Sequence, residues 1–141
     1  MMKFYLFIAT CFAAASIIAC NSAGGNKEQE KKQQDVILQL HDKMMDKDEL
    51  VLTNKSKLDT LLKKYPNDAV KTGKVNGLIK QIDAADDAMQ NWMHKFNPDY
   101  TGKSHQEVME YLHSQQRQIA TIDSLLDVAA DASTKFLTEV K

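Results

Sequence analysis

The feature that most limits what this chain can fold into is a three-four spacing of apolar residues, sustained over three stretches and broken at two prolines. Between 36 and 65 it reads Ile37, Leu40, Met44, Val51, Leu58, Leu61 and Tyr65. Pro66 stops it, because the residue before a proline is pushed out of the α region. The second stretch reads Val75, Leu78, Ile82, Ala85, Met89, Trp92 and Phe96, and ends at Asn97-Pro98. Asn67 or Asp68 can cap it, although Gly73 and Gly77 weaken its first turns. The third reads Val108, Leu112, Gln115, Ile119, Ile122, Leu126, Ala129, Ser133, Phe136 and Val140. Ser104 with Glu107 three residues on is a capping-box signature that sets its start. Each stretch has the period of an amphipathic helix, and none alternates as a strand does. The spacing predicts an all-α fold: an antiparallel up-down-up three-helix bundle with long, coiled-coil-like helices.

Short connections let the apolar positions be paired. Ile37 with Phe96, Met44 with Met89, Val51 with Ile82 and Leu58 with Val75 hold one register through four layers of the first hairpin. Across the second turn, Met93 with Val108, Met89 with Leu112, Ile82 with Ile119 and Val75 with Leu126 do the same. In this register the third helix outruns the second, and Phe136 and Leu137 are expected to cover the 65–73 connection. Each large side chain fully buried in such a layer contributes on the order of 2 kcal/mol.

Residues 1–19 are of another material. Met1-Met2-Lys3 gives a positive start, and residues 4–18 are apolar except for Thr10 and Ser16. That pattern reads as a secretory signal peptide, and it is short for a spanning helix, which needs roughly 20 residues. Ile17-Ile18-Ala19-Cys20 resembles the lipobox of bacterial lipoproteins, in which the cysteine is lipidated and becomes the new N-terminus. The domains expected are therefore a signal peptide at 1–19, a lipidated Cys20 with a flexible, charged tether at 20–34, and a helical bundle at 35–141. The Gly/Ser part of the tether is flexible by composition. Its Lys/Glu/Gln part is either disordered or an exposed start to the first helix. Cys11 would leave with the signal peptide and Cys20 would carry lipid, so neither a disulfide framework nor a cysteine zinc site is expected. No acidic cluster follows Cys20, which favours a periplasm-facing, lipid-anchored protein of the outer membrane.

The charges narrow the partners. Eighteen basic residues against nineteen acidic ones leave a formal net charge of −1, without the basic excess that nucleic-acid binding exploits. No phosphate loop, nucleophile elbow or zinc-protease helix occurs, so an enzyme is not expected and no cofactor is assigned.

The register brings every histidine, and every methionine beyond the signal peptide, to one end of the bundle. Thioether and imidazole together suit a soft metal such as copper. The candidate ligands are His41, Met44, Met89, Met93, His105 and Met109. Against this, Met44, Met89 and Met93 stand at core positions, where methionine fills irregular gaps. His94 and His113 lie off the apolar lines. A polar layer of Asp48, Asp86 and Gln115 is expected at one height, with Lys55 reaching Asp123 or Asp83; polar seam residues set register at some cost in stability. Trp92 and Tyr100 are candidate binding-surface residues, the latter in the 97–103 loop.

The segments His41-Asp42-Lys43-Met44-Met45, Asn91-Trp92-Met93-His94-Lys95-Phe96 and 104–112 resemble motifs of small, uncharacterised bacterial lipoproteins. Some of those carry the label "viral A-type inclusion protein", a name taken from coiled-coil similarity. The resemblance covers most of 35–140 and implies envelope localisation and helical architecture, with no catalytic residues. The expected function is that of a membrane-anchored envelope lipoprotein whose bundle is a non-catalytic binding or structural module. Its partners would be the membrane, through Cys20, and an envelope protein or a second copy. The alternatives are a periplasmic copper-type binding or sensing protein, and a small holdase chaperone exposing Val36, Leu50, Leu52 and Leu62.

Overall fold

The computed structural model describes residues 22–140. Cys20 and the expected signal peptide lie outside the described residues. Three helices follow one another: α1 (Ser22–Lys64), α2 (Ala69–Lys95) and α3 (His105–Glu139). At about 1.5 Å per residue they are about 64, 40 and 52 Å long. The helices pack on one another as an up-down-up bundle, and α1 and α3 share the largest interface. The all-α bundle expected from the spacing is the fold observed.

One apolar line carries the core: Ile37, Met44, Val51 and Leu58 of α1 are all buried, each seven residues from the last. Val75, Ile82 and Met89 of α2 and Val108, Leu112, Ile119 and Leu126 of α3 close on them. The lines flanking this stripe on α1 face different partners. On one side Gln33, Lys47 and Asn54 bond to α3. On the other His41 and Lys55 meet α2.

The turns are specified locally. Tyr65 ends α1 with its N–H donating to the Leu61 carbonyl (3.0 Å), and the Lys71 ammonium sits 3.8 Å from its ring centroid. Asp68 caps α2 by accepting from the Lys71 N–H at 2.9 Å. That cap starts α2 at Ala69 despite the two glycines. The Ser104–Glu107 capping box is present at the start of α3, as expected.

Two expectations change. The pairing of α1 with α2 agrees with the contact of His41 against Trp92. The two expected registers together, however, set Leu58 level with Leu126, and therefore Asn54 near Ile122. Asn54 instead bonds to Ser133, about three turns further along α3. A heptad pattern slid along its partner still matches apolar to apolar, so spacing alone cannot separate these registers. The polar contacts distinguish them: Lys47 meets Asp123 and Asp127, and Gln33 donates to Gln116 at 2.7 Å. The same slide removes Gln115 from the height of Asp48, although it is buried as a seam residue.

The second concerns residues 22–34, expected as a tether whose Lys/Glu/Gln part is either disordered or an exposed start to the first helix. The helical alternative is the one observed, and it extends back over the Gly/Ser part to form the first turns of α1. The register explains it, because those turns lie beside the start of α3 and gain partners there: Glu30 meets His105 and Gln33 meets Gln116. With partners on α3, the two glycines, each about 1 kcal/mol poorer than alanine in a helix, do not interrupt it.

Candidate functional site

The start of α1, the end of α2, the start of α3 and the connection between α2 and α3 meet at one end. Aromatic side chains assemble there because Trp92, in the last turn of α2, is followed four residues on by Phe96, the C-cap of that helix. Trp92 lies 5.8 Å from the His41 ring and 5.1 Å from Phe96. Phe96 stacks on Tyr111 at 6.3 Å, and Tyr111 in turn meets Tyr100 at 6.0 Å. Such contacts add to area burial, and the Tyr111 hydroxyl also accepts the Asn97 N–H at 2.8 Å. The connection is therefore tied to α3 where α2 stops.

Its own backbone is ordered by short-range bonds. Asn97 Oδ1 accepts the Asp99 N–H at 2.9 Å. Asp99 Oδ1 accepts the Thr101 N–H at 3.0 Å and the Thr101 hydroxyl at 2.6 Å. The Thr101 hydroxyl and N–H hold the Asp99 carboxyl below the usual range. Gly102 follows at φ +79°, a left-handed conformation that costs glycine little. Ser104 then caps α3, its hydroxyl and N–H lowering the Glu107 carboxyl.

Between this connection and α1 lies an open cleft of about 610 Å³. Lys27, Glu30 and Lys31 line it from α1, Tyr100 and Lys103 from the connection, and His105 from α3. Glu30 and His105 join across it, Oε1 to Nδ1, at 2.7 Å. The Tyr100 hydroxyl is shielded from solvent and has no hydrogen-bond partner among the described residues. Burial pushes its phenol up, with Tyr111 and Glu30 adding to the effect.

Of the six candidate metal ligands, His41 and Met93 meet each other. His41 Nε2 lies 3.3 Å from Met93 Sδ, and its Nδ1 lies 3.2 Å from Asp42 Oδ1. Met44 and Met89 are core side chains, and Met109 packs half-buried against the core. His105 is engaged by Glu30 on the cleft side. Among the described residues no group of three or more His, Cys, Asp or Glu side chains is placed to hold a metal ion. His94 and His113 are exposed.

Of the candidate surface residues, Trp92 is buried and Tyr100 half-buried. Trp92 Nε1 is a second shielded donor without a partner among the described residues. Val36, Leu50 and Leu52 are exposed as expected, whereas Leu62 packs against the core. The polar seam proved richer than its expected members. Lys55 pairs with Asp83 at 2.5 Å, one of the two carboxylates expected, while Asp123 belongs to Lys47. The Asn54–Ser133–Thr134 cluster went unread. Asn54 lies on the seven-residue line of Leu40, Lys47 and Leu61, and that line was the signal.

The cleft is one place where charge, a hydroxyl and open volume coincide. No family model, curated protein or solved structure matches the chain.

Proposed function

We propose that this chain is a membrane-anchored envelope lipoprotein, attached through a lipid on Cys20, whose helical bundle serves as a non-catalytic binding module. The observation that carries this reading is the lipobox-like Ile17-Ile18-Ala19-Cys20 of the sequence, after which the described residues are helical from Ser22 on. A lipid on Cys20 would lie close in sequence to a helix about 64 Å long, and the bundle would project from the bilayer as a stiff element. Multiple acyl chains hold such an anchor stably, at about 0.8 kcal/mol per buried methylene. Among the described residues no helix is long and apolar enough to cross a membrane. The periplasmic face of the outer membrane is the proposed location, and an envelope protein or a second copy the proposed partner.

Mass spectrometry of the protein purified from membranes tests the anchor. The expected N-terminal peptide begins at Cys20 and carries acyl mass, and Cys20→Ala leaves an unprocessed precursor. A peptide beginning elsewhere, or an unmodified Cys20, sinks the reading.

A second reading, copper-type binding, has one observation behind it: the imidazole-to-thioether contact of His41 with Met93. Copper(I) titration of the protein and of His41→Ala decides it. Equal affinities remove the idea.

A further inference from the structure

The cleft between α1 and the α2–α3 connection combines features that nothing described so far uses. Lys27 and Lys31, one turn apart on α1, face it from one wall, and Lys103 from the other. None of the three has a carboxylate partner within salt-bridge distance among the described residues. The one carboxylate in the cleft, Glu30, is held by His105 at 2.7 Å. Among its lining residues the cleft thus carries three lysines against one engaged carboxylate. The Lys103 ammonium is also 5.3 Å from the Tyr111 ring centroid and close enough to Asp99 and Glu107 to add to the lowering of both carboxyls. A shielded phenol donor, Tyr100 Oη, lies in the same wall. A donor removed from water without an acceptor is costly, and a small shift of the ring that turns this hydroxyl toward an oxyanion in the cleft would offset that cost.

We infer that this cleft binds the phosphoryl group of an anionic ligand. Lysine ammoniums act on phosphate as point charges, and a tyrosine hydroxyl completes the set as a neutral donor. The source favoured is the headgroup of an anionic phospholipid, and this choice rests on the proposed anchor. The cleft flanks the first turns of α1, so a lipid on Cys20 would hold it at the bilayer surface. Basic side chains at that depth are attracted by the negative surface potential. The alternative source is free phosphate, which offers the same oxygens.

Lysine-acetylation footprinting of the full-length protein, read by mass spectrometry, tests the inference. In neutral detergent, inorganic phosphate is expected to slow acetylation of Lys27, Lys31 and Lys103 several-fold. Acetate at equal ionic strength should not, and Lys63 and Lys74 at the opposite end should keep their rates in both. In nanodiscs, phosphatidylglycerol mixed into phosphatidylcholine is expected to slow the same three lysines relative to phosphatidylcholine alone. Tyr100→Phe, which keeps the ring, should weaken the phosphate protection. Protection by phosphate without any effect of phosphatidylglycerol supports the site and assigns it a soluble ligand.

No protection by phosphate or by phosphatidylglycerol overturns the inference, as does equal protection by acetate or equal slowing at Lys63 and Lys74. The same digest reports the mass of the Cys20 peptide. Unmodified Cys20 with phosphate protection intact defeats the anchor and leaves the cleft. Acylated Cys20 without protection defeats only the cleft.

Discussion

The two polar seams that α1 offers its neighbours are built on opposite terms. Toward α3, Asn54 donates to Ser133 and Thr134, both at 2.9 Å, and the Ser133 hydroxyl donates to the Ala129 carbonyl at 2.6 Å. Lys47 reaches Asp123 and Asp127 in the same seam. Toward α2, Asp48 is as buried as Asn54, but its Oδ1 has no partner among the described residues. Burial, with the Asp86 carboxylate adding to it, holds the Asp48 carboxyl above the usual range. Burial alone therefore does not make a polar seam residue stabilising; its partners decide the sign. A satisfied buried amide specifies register, whereas an unsatisfied carboxylate leaves its hairpin below the stability its apolar layers allow.

The largest expected effect is at the satisfied seam. Asn54→Ala removes two hydrogen bonds from a buried site and leaves a small cavity, so it should cost about 2 kcal/mol in chemical denaturation. Asn54→Leu sharpens the point. It should keep or raise the midpoint while broadening the amide spectrum, because a slid register then matches nearly as well. A single sharp set of amide resonances for Asn54→Leu would show that register is held elsewhere.

The opposite sign is expected at the other seam. Asp48→Asn keeps the shape, removes the repulsion from Asp86, and should stabilise by about 1 kcal/mol at neutral pH. Destabilisation would mean that the carboxylate has a favourable role that its geometry does not reveal.

The same carboxyl predicts a pH dependence. Its folded value lies above the unfolded one, so the folded chain binds this proton more tightly. Its contribution is therefore fully present below the ordinary aspartate value of about 3.9, and is lost as pH rises through the higher folded value. Protein and Asp48→Asn stability curves should converge on acidification and separate above that window. Parallel curves across it would break the contrast between the seams.

These two seams also show what could be read in advance. The core line of Ile37, Met44, Val51 and Leu58 was legible because burial of apolar residues every three or four positions leaves a one-dimensional signal. The capping box and the two proline stops were legible for the same reason: their physics is local. Register along α3 was not, since an apolar heptad looks the same after a slide, and only pairing partners such as Asn54 and Ser133 break the degeneracy. For 27–34 a helix was one of two open alternatives, and the choice between them depends on Glu30 and Gln33 finding His105 and Gln116 across the bundle. At the candidate site, Tyr100 and His105 were singled out. Lys27, Lys31 and Lys103 were not, because exposed lysines acquire meaning only when separate segments place them around one cleft.

The smallest expected effect concerns the ion pairs, one beside each seam. Lys47 is about one-fifth exposed and bonds to two carboxylates, whereas Lys55 and Asp83 are about one-third and one-half exposed. Screening by water should reduce the Lys55–Asp83 coupling to about 0.3 kcal/mol, with most of it gone in molar salt. The Lys47–Asp123 coupling should be about 1 kcal/mol and less sensitive to salt, since the ammonium is partly withdrawn from solvent and its two acceptors share the ordering cost. Double-mutant cycles to alanine, run at low and high salt, measure both. Equal couplings with equal salt dependence would mean that exposure governs these pairs less than separation does, and the contrast between the seams would then rest on Asn54 and Asp48 alone.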